Sequence, residues 1–258
     1  MQLSIVIPAF NEEKRIGASL QEIVSYLPKH FSDWEVIVVD DGSSDDTAKI
    51  VQKFEVETPT SRLVLERLDE NAGKGAAVKH GVMRAKGEII LFMDADLSTP
   101  LSEIAKVMRP LEQGFDVAIG SRGLPDSNVV KHQPFYREAM GKIFNRIVRW
   151  IVIDGIRDTQ CGFKAFRHRA AKEIFSRVQT KHFGFDVEVL LWAKKLGFSV
   201  KEVGVTWINS PNSRVSPIKD SVKMLFGLFA IKRSINTRFK AEEKRQTQQL
   251  KALSNYEP

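Results

Sequence analysis

From Leu3 to Gly120 the apolar positions follow two alternating rhythms. Short, nearly unbroken apolar runs occur at Leu3–Ile7, Glu35–Val39, Arg62–Leu65, Glu88–Met93 and Phe115–Ile119. Between them, apolar residues recur at helical spacing: Ile16, Leu20, Ile23 and Leu27, then Ala48, Val51 and Phe54, then Val78, Val82 and Ala85, then Leu101, Ile104 and Leu111. Asn11 is placed to cap the first helix and Pro28 to stop it. Continuous apolar strands separated by amphipathic helices predict an α/β fold, a largely parallel sheet covered on both faces. Sheets of this kind bind ligands beyond the carboxyl ends of their strands.

Those strand ends are acidic. The first apolar run leads into Pro8-Ala9-Phe10-Asn11-Glu12, the second into Asp40-Asp41-Gly42-Ser43, and the fourth into Asp94-Ala95-Asp96. Asp94 and Asp96 are two residues apart, so in extended backbone both would point to one side. Adjacent carboxylates repel unless a cation sits between them. Magnesium or manganese, held by one or two carboxylates plus substrate phosphates, meets that need. A lone pair of this kind is a weak signal, because solvated loop acids are common; beside two other acidic strand ends it is stronger. Ser43, Ser44 and Asp45 are expected to cap the following helix, leaving Asp41 to accept from a base N–H. Asn71-Ala72-Gly73-Lys74-Gly75 lacks the spacing of a Walker loop and reads as a turn with one phosphate-facing cation.

The second half has a different character. Lys142, Arg146 and Arg149 form one stripe of a helix among Ile143, Phe144, Ile147, Val148, Trp150 and Ile151. The apolar run Met224–Ile231 ends in Lys232-Arg233 and falls well short of the roughly 20 residues that span a bilayer. It suits an interfacial helix or a core helix equally. The chain has 258 residues, enough for one sizeable core, and its net charge of +7 gathers toward the C-terminus. Arg214 to Lys240 holds seven Lys/Arg against Asp220 alone, which suits an anionic partner. The five histidines stand at no zinc-ligand spacing, and the single Cys161 is expected to be buried and inert. Arg122 follows a strand, Arg137 follows Pro134-Phe135-Tyr136, and Arg214 lies in a Ser/Asn/Pro-rich stretch; arginine's fork suits phosphate. Asp158–Lys164 reads as a polar turn before a helix, and Phe185-Asp186-Val187-Glu188 as the opening of an apolar helix.

Taken together, these segments resemble family 2 glycosyltransferases, and most of all their polyprenyl-phosphate branch, the dolichyl-phosphate β-glucosyltransferases. The likeness rests on Ile7–Glu13, Val39–Ser43, Asn71–Gly75, Asp94–Asp96, Gly120-Ser121-Arg122, Asp158–Lys164 and Phe185–Glu188, and spans about residues 3 to 215. It implies the GT-A fold, a Rossmann-like, mostly parallel sheet flanked by helices, with C-terminal amphipathic helices. The implied organisation is a catalytic domain over 1–215, a basic amphipathic segment over 216–240 and a polar, frayed tail over 241–258.

The resemblance also implies roles. Pro8, Phe10, Glu12, Val39 and Asp41 would line the nucleoside pocket, with Lys74 and Ala95 also on the nucleotide sugar. Asp94 and Asp96 would hold Mg2+ or Mn2+ and the diphosphate. Arg122, Arg137 and Arg214 would surround the phosphates, with Asp158 or Asp186 available to orient sugar hydroxyls. The related mannose synthases usually read DADLQ, whereas here Ser98 follows Leu97, which favours a glucosyl donor. The implied activity is inverting transfer, with glucose from UDP-glucose ahead of mannosyl or aminosugar transfer, or a saccharide acceptor. A nucleotidyltransferase should carry a glycine-rich loop at Pro8–Glu12, and a non-catalytic binding module has no need of the acid cluster. The expected partners are a nucleotide-sugar donor, a polyprenyl phosphate and the membrane surface, without nucleic acid; a homo-oligomer is left open. No signal peptide or N-terminal anchor of the eukaryotic kind is seen, so peripheral docking at the cytoplasmic face is expected.

Overall fold

The computed structural model describes residues 2–58, 62–131, 155–182, 184–208 and 219–254, with backbone alone for 131, 219–226, 246 and 249–254. The strands are β1 (Leu3–Ala9), β2 (Trp34–Asp40), β3 (Leu63–Arg67), β4 (Ile89–Met93), β5 (Val117–Ser121), β6 (Asn128–Lys131), β7 (Phe163–Arg167), β8 (Val200–Gly204) and β9 (Thr206–Ile208). The helices are α1 (Ile16–His30), α2 (Thr47–Glu57), α3 (Lys74–Arg84), α4 (Ile104–Glu112), α5 (His168–Arg177), α6 (Phe185–Lys195) and α7 (Lys219–Ser254). All five strands and four helices expected before Gly120 are present.

Seven strands form the central sheet in the order β3-β2-β1-β4-β7-β5-β8. β1 pairs in parallel with β2 on one side and β4 on the other, so the chain order reverses direction between β1 and β4. That reversal opens a crevice at the carboxyl ends of the two strands, where open α/β sheets place ligands. β7 runs antiparallel to both β4 and β5. The turn reading of Asp158–Lys164 therefore needs correction, because β7 begins at Phe163 and stands between that turn and the helix α5.

Alternation along the strands divides the core into two layers. Leu3, Ile5 and Ile7 join Ile16, Leu20, Ile23 and Leu27 of α1 and Ile104 of α4 on one face. Val6, Ile37, Val39 and Phe92 join α3, α5 and α6 on the other, where Phe92 lies 5.8 Å from Phe185 and 6.2 Å from Phe166 between ring centroids. Two expectations for α1 fail. Asn11 sits in the left-handed region (φ 52°) four residues before Arg15, the N-cap, which makes no side-chain capping bond. Pro28 lies inside the last turn, and the helix runs on to His30. Pro28 has no N–H to give the Val24 carbonyl and its ring crowds that group, yet Lys29 and His30 still follow it in the helix.

The C-terminal segment also differs from expectation. Residues 241–254 continue α7 instead of fraying. Ala241-Glu242-Glu243-Lys244-Arg245 and the Gln-, Lys- and Leu-rich stretch after them are strong helix formers without Gly or Pro. Glu242 anchors the helix to Arg177, 3.1 Å away. Leu228 and Ile235 are buried, and Ile231 and Phe239 pack against the same core. Phe229 is 59% exposed on another side of the helix. Within the described part of the apolar run, Leu228 and Ile231 thus face the core and Phe229 faces outward. Among the described residues no helix is long and apolar enough to cross a membrane. The stripe of Lys142, Arg146 and Arg149 lies outside the described residues. Urea unfolding should register this division: Ile235→Ala is expected to cost about 2–4 kcal/mol, and Phe229→Ala less than about 0.5 kcal/mol.

Candidate active site

The crevice between β1 and β4 is a cleft of about 420 Å³. Pro8, Ala9 and Phe10 form one wall where β1 ends, and Asp94, Ala95 and Asp96 another where β4 ends. Asp41, Asn71, Gly73 and Lys74 close the β2 side, and His182 faces them from the loop before α6. Glu12 and Arg15 complete the lining. Pro8, Phe10, Glu12, Asp41, Lys74, Asp94, Ala95 and Asp96 therefore meet in one place, as parallel strands with a common carboxyl edge require. Val39 does not join them. It is fully buried one residue before β2 ends, and its side chain packs toward Gly81 of α3.

The loops around the cleft are tied to one another by side chains. Ser43 Oγ accepts from the Asn11 amide at 2.8 Å, and Asn11 Oδ1 accepts from the Ser44 amide at 2.8 Å. These serines therefore join the β1 and β2 loops and do not cap α2; Asp45 accepts from the Thr47 amide at 3.0 Å, but the N-cap is Asp46, which makes no side-chain capping bond. Asp41 accepts from the Ala72 amide at 2.8 Å and the Gly73 amide at 2.9 Å. Burial raises the Asp41 pKa, although those amides and His182 act in the opposite direction. Gly73 has φ 101°, and a Cβ there would overlap the His182 ring. Glyless backbone could not bring this loop so close to His182.

Asp94 and Asp96 lie in a turn, not in extended backbone, with the Leu97 amide donating to the Asp94 carbonyl at 3.3 Å and Leu97 at φ 49°. Both still face the cleft, and each has its own cation. Lys74 Nζ donates to Asp94 Oδ1 at 2.5 Å, and an Arg15 Nη donates to Asp96 Oδ2 at 3.3 Å. Arg15 also grips both oxygens of Glu12, one of them at 2.7 Å. Burial opposes the charge on Lys74, but Asp94, Asp186 and Asp96 outweigh it and raise its pKa. Arg15 is likewise held charged, chiefly by Glu12. Among the described residues no three His, Cys, Asp or Glu side chains gather as a metal cage. The donor set is two hard carboxylates beside two cations in the cleft, which fits magnesium or manganese completed by a diphosphate.

Behind Asp94 lies the turn that precedes β7. A Cβ on Gly162 would overlap the Asp94 carboxylate, so only glycine lets the turn come this close. Lys164 is fully buried; it donates to the Cys161 carbonyl at 2.6 Å, pairs with Asp186 and stands 5.2 Å from the Phe92 ring centre. Asp186 is thus engaged inside the protein. So is Asp158, which takes a two-point bond from Arg122 at 2.7 and 3.0 Å. Arg122 also lies over the Trp207 ring at 5.3 Å. Burial raises the Cys161 thiol to about 12, with Asp158 adding to it, so the buried thiol is inert as expected. Arg137 and Arg214 lie outside the described residues. Arg15 and His182 are the cleft residues that pattern reading misses. For Arg15 a faint signal exists in its i,i+3 spacing from Glu12; His182 has none.

The sequence model described as "Glycosyl transferase family 2" matches residues 4–175. The chain belongs to that family. This family 2 glycosyltransferase is 36% identical to the dolichyl-phosphate beta-glucosyltransferase of Dictyostelium discoideum, over 86% of the chain and 71% of that protein. It is 34% identical to the Homo sapiens protein of the same name, over 86% of the chain and 72% of that protein. In fold it is similar to glucosyl-3-phosphoglycerate synthase from Mycobacterium tuberculosis, solved with Mn2+, UDP and phosphoglyceric acid (TM-score 0.63, 20% identity, 89% of this chain and 76% of that one). The expected GT-A architecture is the one found. Crystals of a mannosyltransferase from Pyrobaculum calidifontis with GDP-Man and Mn2+ show a similar fold (TM-score 0.57, 19% identity, 83% and 58% covered).

Two outcomes follow for this glycosyltransferase. Gly162→Ala should push the Asp94 carboxylate aside and lower sugar transfer about 100-fold, with the melting temperature nearly unchanged. Asp158 is buried, which works against its charge, but Arg122 prevails and holds its pKa at about 2, below its ordinary value. A carboxylate depressed on folding stabilises above its unfolded pKa of about 3.9 and loses that contribution as pH falls through the folded value. Asp158→Asn should therefore cost roughly 2–4 kcal/mol in urea at pH 7, with the gap narrowing between about pH 4 and pH 2.

Proposed function

We propose that this glycosyltransferase moves glucose from UDP-glucose to dolichyl phosphate, inverting the anomeric centre, with magnesium or manganese at Asp94 and Asp96. The observation that carries this reading is the pairing of two facts. The chain is 36% identical to a dolichyl-phosphate beta-glucosyltransferase over most of its length, and its cleft presents Asp94 and Asp96, with Glu12 and Asp41, beside Lys74 and Arg15 at the ligand-binding edge of the sheet.

The residues divide the work by charge. Phe10 and Pro8 offer apolar surface to the nucleoside, and Asp41 and Asn71 offer polar groups on the opposite wall. Lys74 and Arg15 meet the diphosphate. A divalent cation bound by Asp94 and Asp96 supplies neutralisation of the negative charge that grows on the departing UDP. The acceptor needs no strong base, because a phosphate monoester is already largely ionised near pH 7. Its oxygen attacks the anomeric carbon, the bond from that carbon to the UDP oxygen breaks, and an α-linked donor yields a β-linked lipid-phosphate sugar. Arg122, with Arg137 and Arg214, is assigned to the acceptor phosphate, so that two anionic groups can approach. Asp158 acts here as the residue that aims Arg122, and Asp186 as the partner of Lys164, not as ligands of the sugar.

The acceptor lipid implies a membrane surface. The outward stripe of α7, where Phe229 lies beside Lys232, Arg233 and Lys240, is the segment proposed to meet it, an apolar contact flanked by cations for anionic headgroups. The test is transfer of radiolabelled glucose from UDP-glucose to dolichyl phosphate in vesicles, with and without chelator. Labelled lipid that disappears on chelation, and that falls at least about 1,000-fold with Asp96→Asn, is the expected result. Product from GDP-mannose but none from UDP-glucose would replace the donor; no labelled lipid from either would remove the acceptor.

A further inference from the structure

The two carboxylates that would hold a divalent cation already carry cations of the protein. Lys74 Nζ sits 2.5 Å from Asp94 Oδ1, and Arg15 sits 3.3 Å from Asp96 Oδ2. These side chains come from opposite walls of the cleft: Arg15 from the turn into α1, and Lys74 from the first residue of α3. A metal–oxygen bond is about 2.0–2.2 Å long, so an ion on Asp94 Oδ1 and an ammonium at hydrogen-bond distance from the same atom compete for the same space and charge. Lys74 cannot simply turn to the next acid. Of the two other carboxylates that favour its charge, Asp186 is buried and paired with Lys164, and Asp96 is paired with Arg15 and would hold the same cation. Arg15 is better provided, because Glu12 already holds it at two points.

We propose that Lys74, with Arg15 in a lesser role, is an internal counterion of the carboxylate pair that the donor's diphosphate takes over when the divalent cation arrives. The proposal rests on the reading of Asp94 and Asp96 as the cation and diphosphate site. Under it, the cation alone must displace an ammonium from its carboxylate partner into the cleft, and the diphosphate alone meets a lysine already neutralised. Each ligand removes the obstacle to the other. Lys74 is then a residue of exchange, set between the two ligands, and not simply one more phosphate contact.

The exchange predicts opposite signs for the two ligands taken singly. Mn2+ binding without nucleotide is read by loss of the free-ion EPR signal, and UDP binding in the presence of EDTA by calorimetry. Lys74→Met is expected to tighten Mn2+ alone about tenfold and to weaken UDP alone about tenfold, a scale set by one unit charge a few ångströms away in partly screened surroundings. Arg15→Gln should shift both in the same directions by a smaller factor, and it supplies the test if Lys74→Met fails to fold. Mn2+ binding that is unchanged or weaker in both variants overturns the exchange, provided that Asp94→Asn abolishes it in the same assay. If Asp94→Asn and Asp96→Asn leave Mn2+ binding with UDP intact, the cation site itself is misplaced and the proposal falls with it.

Discussion

Carboxylates gathered at the ends of neighbouring parallel strands repel one another, and the organisation of this protein follows from how that repulsion is balanced. Glu12, Asp94 and Asp96 converge at one crevice, each with a cation within hydrogen-bond reach. No segment supplies both partners of a pair except the Glu12–Arg15 turn. Asp94 is matched by a lysine 20 positions earlier, and Asp96 by an arginine 81 positions earlier. Charge balance therefore depends on the sheet order that places β1 between β2 and β4. The same pairs that quiet the acids leave cations facing the cleft, which is what a diphosphate needs.

A second buried pair extends this logic below the cleft. Lys164 is fully buried against the Phe92 ring, where an unpaired ammonium would cost on the order of several kcal/mol. Asp186 and the Cys161 carbonyl satisfy it, and in doing so join three elements: β7, the turn before it, and the N-terminus of α6. The turn carries Gly162 against Asp94, while the loop leading into α6 carries His182 against Gly73. Glu188, one turn into α6, accepts from the amides of Gln179 and Thr180 and so fixes that loop from the other end. The antiparallel insertion of β7 between β4 and β5 is the topological step that makes these contacts available. A hydrophobic pair could stabilise as well as Lys164–Asp186, but it would not fix the direction of the Cys161 carbonyl.

Much of this was legible from residues alone, and the division is physical. Strands buried on both faces read as continuous apolar runs, so β1, β2 and β4 announce themselves, and their acidic ends with them. β7 does not, because Lys164 interrupts Phe163-Lys164-Ala165-Phe166 and its burial becomes acceptable only once Asp186 is folded against it. β8 and β9 are short and partly exposed, and their pattern is weak. The resemblance puts Val39 in the nucleoside pocket with Asp41, but Val39 is still inside β2 and faces the helical layer, whereas Asp41 lies beyond the strand end. Arg15 looks like any solvated arginine until Asp96 is brought to it from far along the chain. The continuous helix α7 was obscured by composition, since polar helix formers and disordered tails use many of the same residues.

The two faces of α7 bear on how such a site could work beside a lipid. Its core stripe is fixed by Leu228, Ile235 and the contacts of Arg238 and Glu242, so the outward stripe does not have to fold on meeting a surface. A preformed apolar-and-basic face avoids the ordering entropy that a disordered anchor would lose on binding. Cations on that face attract anionic headgroups only within about a Debye length, roughly 8–10 Å. In the proposed function they would draw the protein to a surface without by themselves selecting a lipid. In that proposal selection falls to the arginines assigned to the acceptor phosphate, of which Arg122 is paired with the buried Asp158 and lies over Trp207. An arginine held on two sides loses little freedom when a phosphate arrives, which is the property that distinguishes a recognition contact from a general attraction.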